Sequence, residues 1–155
     1  MRRGRRQVVI IARSKLNVGI AWSGYFYGPT QPYRSLRLQD LEKLFSLDIN
    51  FYCLQSEIRN CDYNYFKSLK ITNCGNFNFV QVGEIINNLD LIISVDTSIL
   101  HLASSLNKKT WGILNLYPDW RWGKFEKFNP YNSLKLFRQT HFNYWDDTIN
   151  DIYSQ

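Results

Sequence analysis

The sequence lacks the long apolar segments that membrane proteins and secreted precursors carry. No apolar run approaches the ~20 residues that span a bilayer. The N-terminus also lacks the apolar stretch of a secretory signal. We therefore expect a cytoplasmic protein with no membrane span. Its 155 residues, of which 45% are hydrophobic, suffice for one domain of ordinary size and leave no room for two.

Cysteine is scarce, and its spacing argues against two common ways of stabilising a small fold. The three cysteines, Cys53, Cys61 and Cys74, form an odd set without a C-x-x-C pair. A disulfide framework needs paired cysteines, and a structural zinc site needs closely spaced ones. We expect reduced thiols, with Cys53 in a strand.

Acidic residues are fewer than basic ones, 13 against 19, but the imbalance is local. Residues 1–15 hold six basic residues and no acidic one, so the remaining chain is neutral. Residues 1–17, which include a strand-like run at 8–12, therefore form a basic N-terminal arm, linker or edge strand. Such arms are usually solvated, and the neutral body argues against nucleic acid as the main ligand. RNA binding through the arm stays open as an alternative.

Residues 89–106 contain the most informative pattern of the chain. Leu91–Val95 is a short apolar run rich in β-branched residues, which predicts a strand buried on both faces of a parallel sheet. Asp96, Thr97 and Ser98 follow it and are all residue types that begin helices. Apolar residues then recur at helical spacing, so strand, tight turn and helix form one continuous unit.

The start of this helix is a candidate anion site. The first N–H groups of a helix lack intrahelical partners and carry the positive end of its dipole. The hydroxyls of Thr97 and Ser98 add donors, and His101, one turn on, leans back over the same opening. This combination predicts a phosphate or diphosphate ligand. The residues alone leave open a second reading, in which Asp96 and Thr97 only cap the helix and His101 is an ordinary surface histidine.

Strands and helices alternate along the rest of the chain. Strands are predicted at 18–22, 50–54, 110–114 and 133–137, with a minor strand at 70–72, and helices at 38–45, 80–88 and 143–153. Alternation of this kind predicts an α/β fold, a Rossmann-like parallel sheet of about five strands with helices on both faces. A ligand is then expected at the carboxyl ends of the strands.

Two of these strand ends carry further candidate residues. The first strand ends in Ser23-Gly24, where small residues allow close approach of the backbone to a ligand, and Arg34 or Arg37 can bring a positive charge to it. The second strand ends at Gln55-Ser56-Glu57, where doubly wound nucleotide folds meet the ribose, so Gln55 or Glu57 can bind sugar hydroxyls. A plain surface loop after the first strand is the alternative.

Two tryptophans, Trp120 and Trp122, flank an arginine after a proline turn. They can stack on a base or shape the pocket mouth, or they can close the core. The sequence leaves both possibilities open.

Several segments resemble, in order, the C-terminal half of a bacterial transferase family. They are GIAWSG (19–24), RS (34–35), LQ (54–55), LDLIISVDTSILHLA (89–103), PDWRW (118–122) and LFRQ (136–139). This order resembles glycosyltransferase family nine, the heptosyltransferase-like group, and the related transferase domains found behind tetratricopeptide repeats in bacteria. The resemblance extends over about residues 18–153.

The resemblance implies the donor-binding half of a two-domain GT-B glycosyltransferase. By position, the diphosphate would contact Asp96, Thr97, Ser98 and His101, with Ser23 and Gly24 facing it, Gln55 near the ribose and Arg34 as the cation for the leaving diphosphate. Such enzymes typically invert the sugar without a metal, in agreement with the absence of a D-x-D motif, and the resemblance implies no cofactor besides the nucleotide-sugar substrate. The catalytic base is expected in the other half, so no catalytic residue is assigned here.

Two departures from the family limit this expectation. Only about 17 residues stand where the acceptor half would be, and Asn78, Gln81 and Val82 replace the family's usual Asp, Asp and Thr. Residues 18–155 are therefore predicted to be a nucleotide-sugar-binding domain of a hexosyl- or heptosyltransferase. It would transfer sugar only with an acceptor-binding domain from a separate chain, or as a homodimer. The alternative is a non-catalytic nucleotide-binding module or a remnant of a transferase.

Overall fold

A computed structural model describes residues 9, 11–24, 31–75, 77–123 and 129–155. These residues form six strands, β1 (Asn17–Ala21), β2 (Asn50–Cys53), β3 (Ile71–Asn73), β4 (Leu91–Val95), β5 (Thr110–Leu114) and β6 (Leu134–Arg138). All six pair in parallel in one sheet, in the order β3-β2-β1-β4-β5-β6. The order reverses between β1 and β4, so the crevice at their carboxyl ends is the expected ligand position of a doubly wound sheet.

Helices cover both faces of this sheet, as predicted. They are α1 (Gln31–Arg34), α2 (Glu42–Phe45), α3 (Asn60–Ser68), α4 (Phe79–Asn88), α5 (Ser98–Ser105) and α6 (Asp146–Tyr153), with 3₁₀ turns at Leu38–Leu41 and Trp120–Trp122. One face packs against residues 38–45, α3 and α6, and the other against α4 and α5. None of the helices in the described ranges is long and apolar enough to cross a membrane.

The predicted elements agree with the structure except at four places. Residues 31–34, expected to belong to the loop after the first strand, form α1. The estimate of about five strands is one too few, because the minor run at 70–72 pairs with β2 as the edge strand β3. Helix α3 is missing from the sequence prediction because its only buried residues are Asp62 and Phe66, too few for an apolar period. The run at 8–12 forms no strand at its described residues 9, 11 and 12, whereas residues 8 and 10 and the arginines at 2–6 lie outside the described part.

A buried carboxylate, Asp62 of α3, joins the end of β1 to the segment that carries α1. Its side chain is 2% exposed. Its oxygens accept hydrogen bonds from Trp22 Nε1 (3.0 Å), the Leu38 backbone N–H (3.1 Å) and the Arg59 guanidinium (2.8 and 3.0 Å). Arg59 also donates to the Leu36 carbonyl, and the Leu36 N–H donates to the Trp22 carbonyl (2.9 Å). The chain that follows α1 is therefore tied to the sheet through Asp62.

Removal of this carboxylate should destabilise the domain strongly. Asp62→Ala leaves the Arg59 guanidinium and Trp22 Nε1 without their buried partner, at an expected cost of about 3 to 5 kcal/mol in the free energy of unfolding. Urea denaturation followed by circular dichroism measures this cost. The matched control is Asp151→Ala, at an exposed position of α6, which should change it by less than about 0.5 kcal/mol. An equally small effect of Asp62→Ala would contradict the role assigned to Asp62.

The three cysteines are free thiols, as predicted, and Cys53 ends β2. Burial raises the pKa of Cys53 to about 12 and that of Cys74 to about 11, whereas Cys61 is exposed on α3. Because the thiolate is the reactive form, a disulfide reagent at about pH 8 should label Cys61 in the native protein and all three thiols after unfolding. Cys61→Ser should remove the fast reaction. Fast labelling of that variant would show that Cys53 or Cys74 is accessible.

Candidate functional site

A cavity of about 520 Å³ opens at the carboxyl ends of β1 and β4. The predicted site residues that line it are Ser23, Gly24, Arg34, Gln55, Asp96, Thr97, Ser98 and His101. They come from the ends of three strands and from α1 and α5, and the parallel sheet brings these ends to one edge. Residues 25–30, between Gly24 and α1, lie outside the described part of the chain.

Three charged or ionisable side chains meet in this cavity. The buried carboxylate of Asp96 lies between Arg34 and His101, with Arg34 Nη1 at 3.7 Å from Oδ2 and His101 Nε2 at 3.6 Å from Oδ1. These distances exceed those of direct hydrogen bonds. Arg34 Nε, Asp96 Oδ2 and His101 Nε2 are buried and have no hydrogen-bond partner among the protein atoms. Since buried polar atoms are nearly always paired, their convergence indicates a place for a polar ligand.

Helix α5 begins at this cavity without a side-chain cap. Thr97 occupies the N-cap position in extended conformation (φ −137°, ψ 175°), but its side chain caps no N–H group. Its hydroxyl lies 3.2 Å from Ser94 Oγ instead. The alternative that Asp96 and Thr97 serve only to cap the helix is therefore wrong, because neither side chain accepts from the first turn. The N–H groups at the start of α5 remain available to an anion.

His101 is held from two sides. Its ring stacks on Trp122, with centroids 5.3 Å apart and planes at 19°, and Nδ1 lies 3.0 Å from the Tyr131 hydroxyl. These contacts direct Nε2 toward Asp96 and the cavity. Trp122 is itself buried against Leu100, Leu114 and Leu134. His101 is thus a fixed side chain and not an ordinary surface histidine.

The two tryptophans have different environments, and neither lines the cavity. Trp122 closes the core, which was the second of its two predicted alternatives. Trp120 is 86% exposed. Between them, Arg121 lines the cavity, and its backbone N–H (3.1 Å) and Nε (2.9 Å) donate hydrogen bonds to Asp119 Oδ1. These bonds lower the pKa of Asp119 and raise that of Arg121, so both remain charged.

Gln55 lines the cavity, but its amide is fully used within the protein. Oε1 accepts from the N–H groups of Trp22 (3.0 Å) and Ser23 (3.2 Å), and Nε2 donates to Ser23 Oγ (3.0 Å) and the Glu57 carbonyl (2.7 Å). A glutamine amide offers two acceptor and two donor positions, and all four are occupied. Gln55 therefore holds the end of β1 against the end of β2 and so positions Ser23.

Sequence reasoning missed several residues of this site. Arg121, Phe77 and Phe79 line the cavity, as do Val82 and Glu57, the second residue that the sequence offered for the ribose. The sequence signal of Arg121, Phe77 and Phe79 was weak because they lie in a turn, in a loop and at the first position of α4. The substitutions at Asn78 and Gln81 have a structural explanation, since the two residues form a reciprocal capping box at the start of α4, with both bonds at 3.0 Å.

A larger cavity, about 1120 Å³, lies at the opposite, amino-terminal edge of β1 and β4, between residues 9–17 and α4. Two of the charged side chains that line it have protein partners. Asp90 accepts from the Asn17 N–H (2.7 Å), and Lys108 donates to the carbonyls of Asn87 (3.0 Å) and Leu89 (2.7 Å). Among the described residues, no buried polar atom without a partner faces this cavity. The smaller cavity is therefore the better candidate site.

Comparisons with known proteins identify the family and the fold. The sequence profile of glycosyltransferase family 9 (heptosyltransferase) matches residues 29–141. No protein of curated function matches the sequence significantly. Two solved structures share the fold, Escherichia coli ADP-heptose LPS heptosyltransferase II (TM-score 0.63, 13% identity) and E. coli heptosyltransferase WaaC with ADP-2-deoxy-2-fluoro heptose (TM-score 0.60, 12% identity).

These matches cover 92% and 90% of this chain but only 44% and 42% of the two solved chains. The chain thus spans less than half the length of these heptosyltransferases and corresponds to one half of a GT-B fold. Because the family profile covers most of the chain and the fold agrees, the chain belongs to glycosyltransferase family 9, the heptosyltransferase family.

Proposed function

We propose that this domain binds the donor of a glycosyltransferase, a nucleoside diphosphate sugar, with the diphosphate at the start of α5. The observation that carries the proposal is the set of partnerless buried atoms of Arg34, Asp96 and His101 around an uncapped helix N-terminus. Arg34 Nε and the α5 N–H groups are donors, and His101 Nε2 is a donor when protonated or in the matching tautomer. Arg121 adds a positive charge at the rim.

Within this proposal Asp96 positions the cations and does not contact the phosphates. A carboxylate repels a diphosphate, but it attracts Arg34 and His101 from two different elements of the chain. A diphosphate would then complete the hydrogen bonds of Arg34 and His101 from the cavity side. The positive charge that stabilises the leaving diphosphate thus comes from side chains and the helix dipole, without a metal ion.

The proposed nucleoside position is the part of the cavity beyond β2 and β3. In doubly wound sheets the end of the second strand meets the ribose. Here Glu57 supplies a carboxylate that can accept from sugar hydroxyls, and Phe77, Phe79 and Val82 provide apolar surface for a base. Two solved relatives are an ADP-heptose heptosyltransferase and a heptosyltransferase with a fluorinated ADP-heptose, so ADP-sugars are the first donors to test.

Transfer of the sugar, with inversion, is proposed only together with an acceptor-binding domain. The chain corresponds to less than half of the heptosyltransferases that it resembles. The proposed partner is a separate acceptor-binding chain or a second copy of this one. The alternative is a nucleotide-binding module without transferase activity, and the two differ in whether an added acceptor domain restores transfer.

Donor binding predicts that the protein binds a nucleoside diphosphate more tightly than the matching nucleoside. The diphosphate adds charge-assisted hydrogen bonds, each contributing about 1.5 to 3 kcal/mol. Calorimetry with ADP, GDP and UDP, each beside its nucleoside and with EDTA present, measures the difference. Equal affinities within every pair, or no binding at all, would refute the diphosphate site. Binding that disappears in EDTA would refute metal independence alone.

His101→Ala should weaken binding of the diphosphate by about 1 to 3 kcal/mol, since a donor to a charged group is lost. The matched control is the chain's second histidine. His141 is exposed, with Nδ1 3.7 Å from Asp147 Oδ2, and lies outside the cavity, so His141→Ala should leave nucleotide affinity unchanged. Calorimetry with the tightest-binding diphosphate compares both variants with the parent. Parental affinity of His101→Ala would remove His101 from the proposed site.

A further inference from the structure

Another cavity, of about 440 Å³, lies beside the 520 Å³ cavity of the candidate site, at the carboxyl ends of β5 and β6. We call it the second cavity of this edge. Its size is in the usual range of small-molecule sites, about 300 to 1,000 Å³. Arg34 lines both cavities, so the two adjoin at this guanidinium. A ligand that contacts Arg34 from the diphosphate position can therefore extend into the second cavity. Neither the motifs nor the proposed diphosphate site assigns a role to this space.

Two buried amides in this cavity have unused hydrogen-bonding groups. Asn115, directly after β5, is 9% exposed, and no described residue forms a hydrogen bond with its side chain. Gln139, directly after β6, is 4% exposed. Its Oε1 accepts from the Leu116 N–H (3.1 Å), while Nε2 has no partner in the described part of the protein. Neither amide is among the fully buried atoms without a partner, so these unused groups are open to the cavity and can hydrogen-bond a polar ligand there.

Aromatic rings form the open side of the same cavity. The ring centroids of Tyr33 and Phe142 lie 5.5 Å apart, with the ring planes at 39°. Tyr117, in the loop that follows β5, is 76% exposed and also lines the cavity. Amide groups at the base and aromatic faces at the rim together suit a ligand with many hydroxyls and an apolar ring face. A sugar ring has this combination, whereas a simple anion or an apolar ligand lacks one half of it.

The order in which the parts of the proposed donor lie along the sheet edge indicates which part occupies this cavity. The proposed nucleoside lies beyond β2 and β3, and the diphosphate lies at the start of α5 between β1 and β4. A nucleoside diphosphate sugar that continues across the sheet leads toward β5 and β6. We propose that the cavity lined by Asn115, Gln139 and Tyr117 binds the glycosyl group of the donor, and that Asn115 is a specificity-determining contact for its hydroxyls. This inference rests on the proposed function.

Asn115→Ala tests this assignment, because its side chain makes no hydrogen bond within the described protein. Calorimetry compares each nucleoside diphosphate with its sugar conjugate: ADP with ADP-glucose, GDP with GDP-mannose, and UDP with UDP-glucose. The parent should bind at least one conjugate more tightly than its diphosphate. Asn115→Ala should lower affinity for that conjugate about two- to tenfold, the scale of one lost hydrogen bond, and leave affinity for the diphosphate unchanged.

Tyr117→Ala provides a second variant, matched by Trp120→Ala. Both replace a highly exposed aromatic side chain, but Trp120 lines neither cavity. Only Tyr117→Ala should lower affinity for the conjugate, again without an effect on the diphosphate. Thermal melts of all three variants should match the parent.

The outcomes separate this inference from the proposed function. If the parent binds diphosphates but no conjugate binds more tightly, or if Asn115→Ala binds the conjugate like the parent, the glycosyl assignment is overturned and the diphosphate site stands. A loss of diphosphate affinity in Asn115→Ala equal to the loss for the conjugate also overturns it, because Asn115 would then act on the nucleotide part. If the parent binds no nucleotide, the proposed function fails and this inference fails with it.

Discussion

The buried carboxylate of Asp96 is the contact on which the site depends. It lies at the carboxyl end of β4, where the strand order reverses, and faces Arg34 from one segment and His101 from another. In water two such pairs would contribute little, but in a buried cavity each attraction is stronger. Because one carboxylate faces two positive or protonatable groups at 3.6–3.7 Å, it holds both near the helix N-terminus without saturating either. Their remaining atoms are left for a ligand.

Other polar contacts fix the segments that carry these side chains. Gln55 uses its whole amide to hold the end of β1 against the end of β2. Asp62 ties Trp22 and Leu38 together and so holds the chain on either side of the segment with Arg34. Trp122 and Tyr131 orient His101 from the opposite side. The cavity is therefore rigid on its protein side, which lowers the entropic cost of placing donors around an anion.

The adjoining cavities suggest how one edge of the sheet divides the parts of a donor. Apolar residues and Glu57 lie beyond β2 and β3, cations and the start of α5 lie at β1 and β4, and amides with aromatic rings lie beyond β5 and β6. This order follows the chemical order of base, diphosphate and sugar. The reactive carbon of the sugar would then lie on the open side of the edge, where a second domain can bring an acceptor.

The sequence by itself determined the fold class and the main candidate residues. Strong local patterns identified Leu91–Val95 as a buried strand and α5 as the helix after it, and motif order identified the transferase family. Tertiary structure decided what depends on contacts between distant segments. Helix α3 escaped prediction because it buries only Asp62 and Phe66, and two of the three partners of Asp62, Leu38 and Trp22, are 24 and 40 residues away. Likewise, only packing could show that Gln55 is saturated, that Trp122 supports His101, and that the Asn115 side chain forms no hydrogen bond with any described residue, since hydrogen-bond satisfaction is a property of three-dimensional neighbours and not of local sequence.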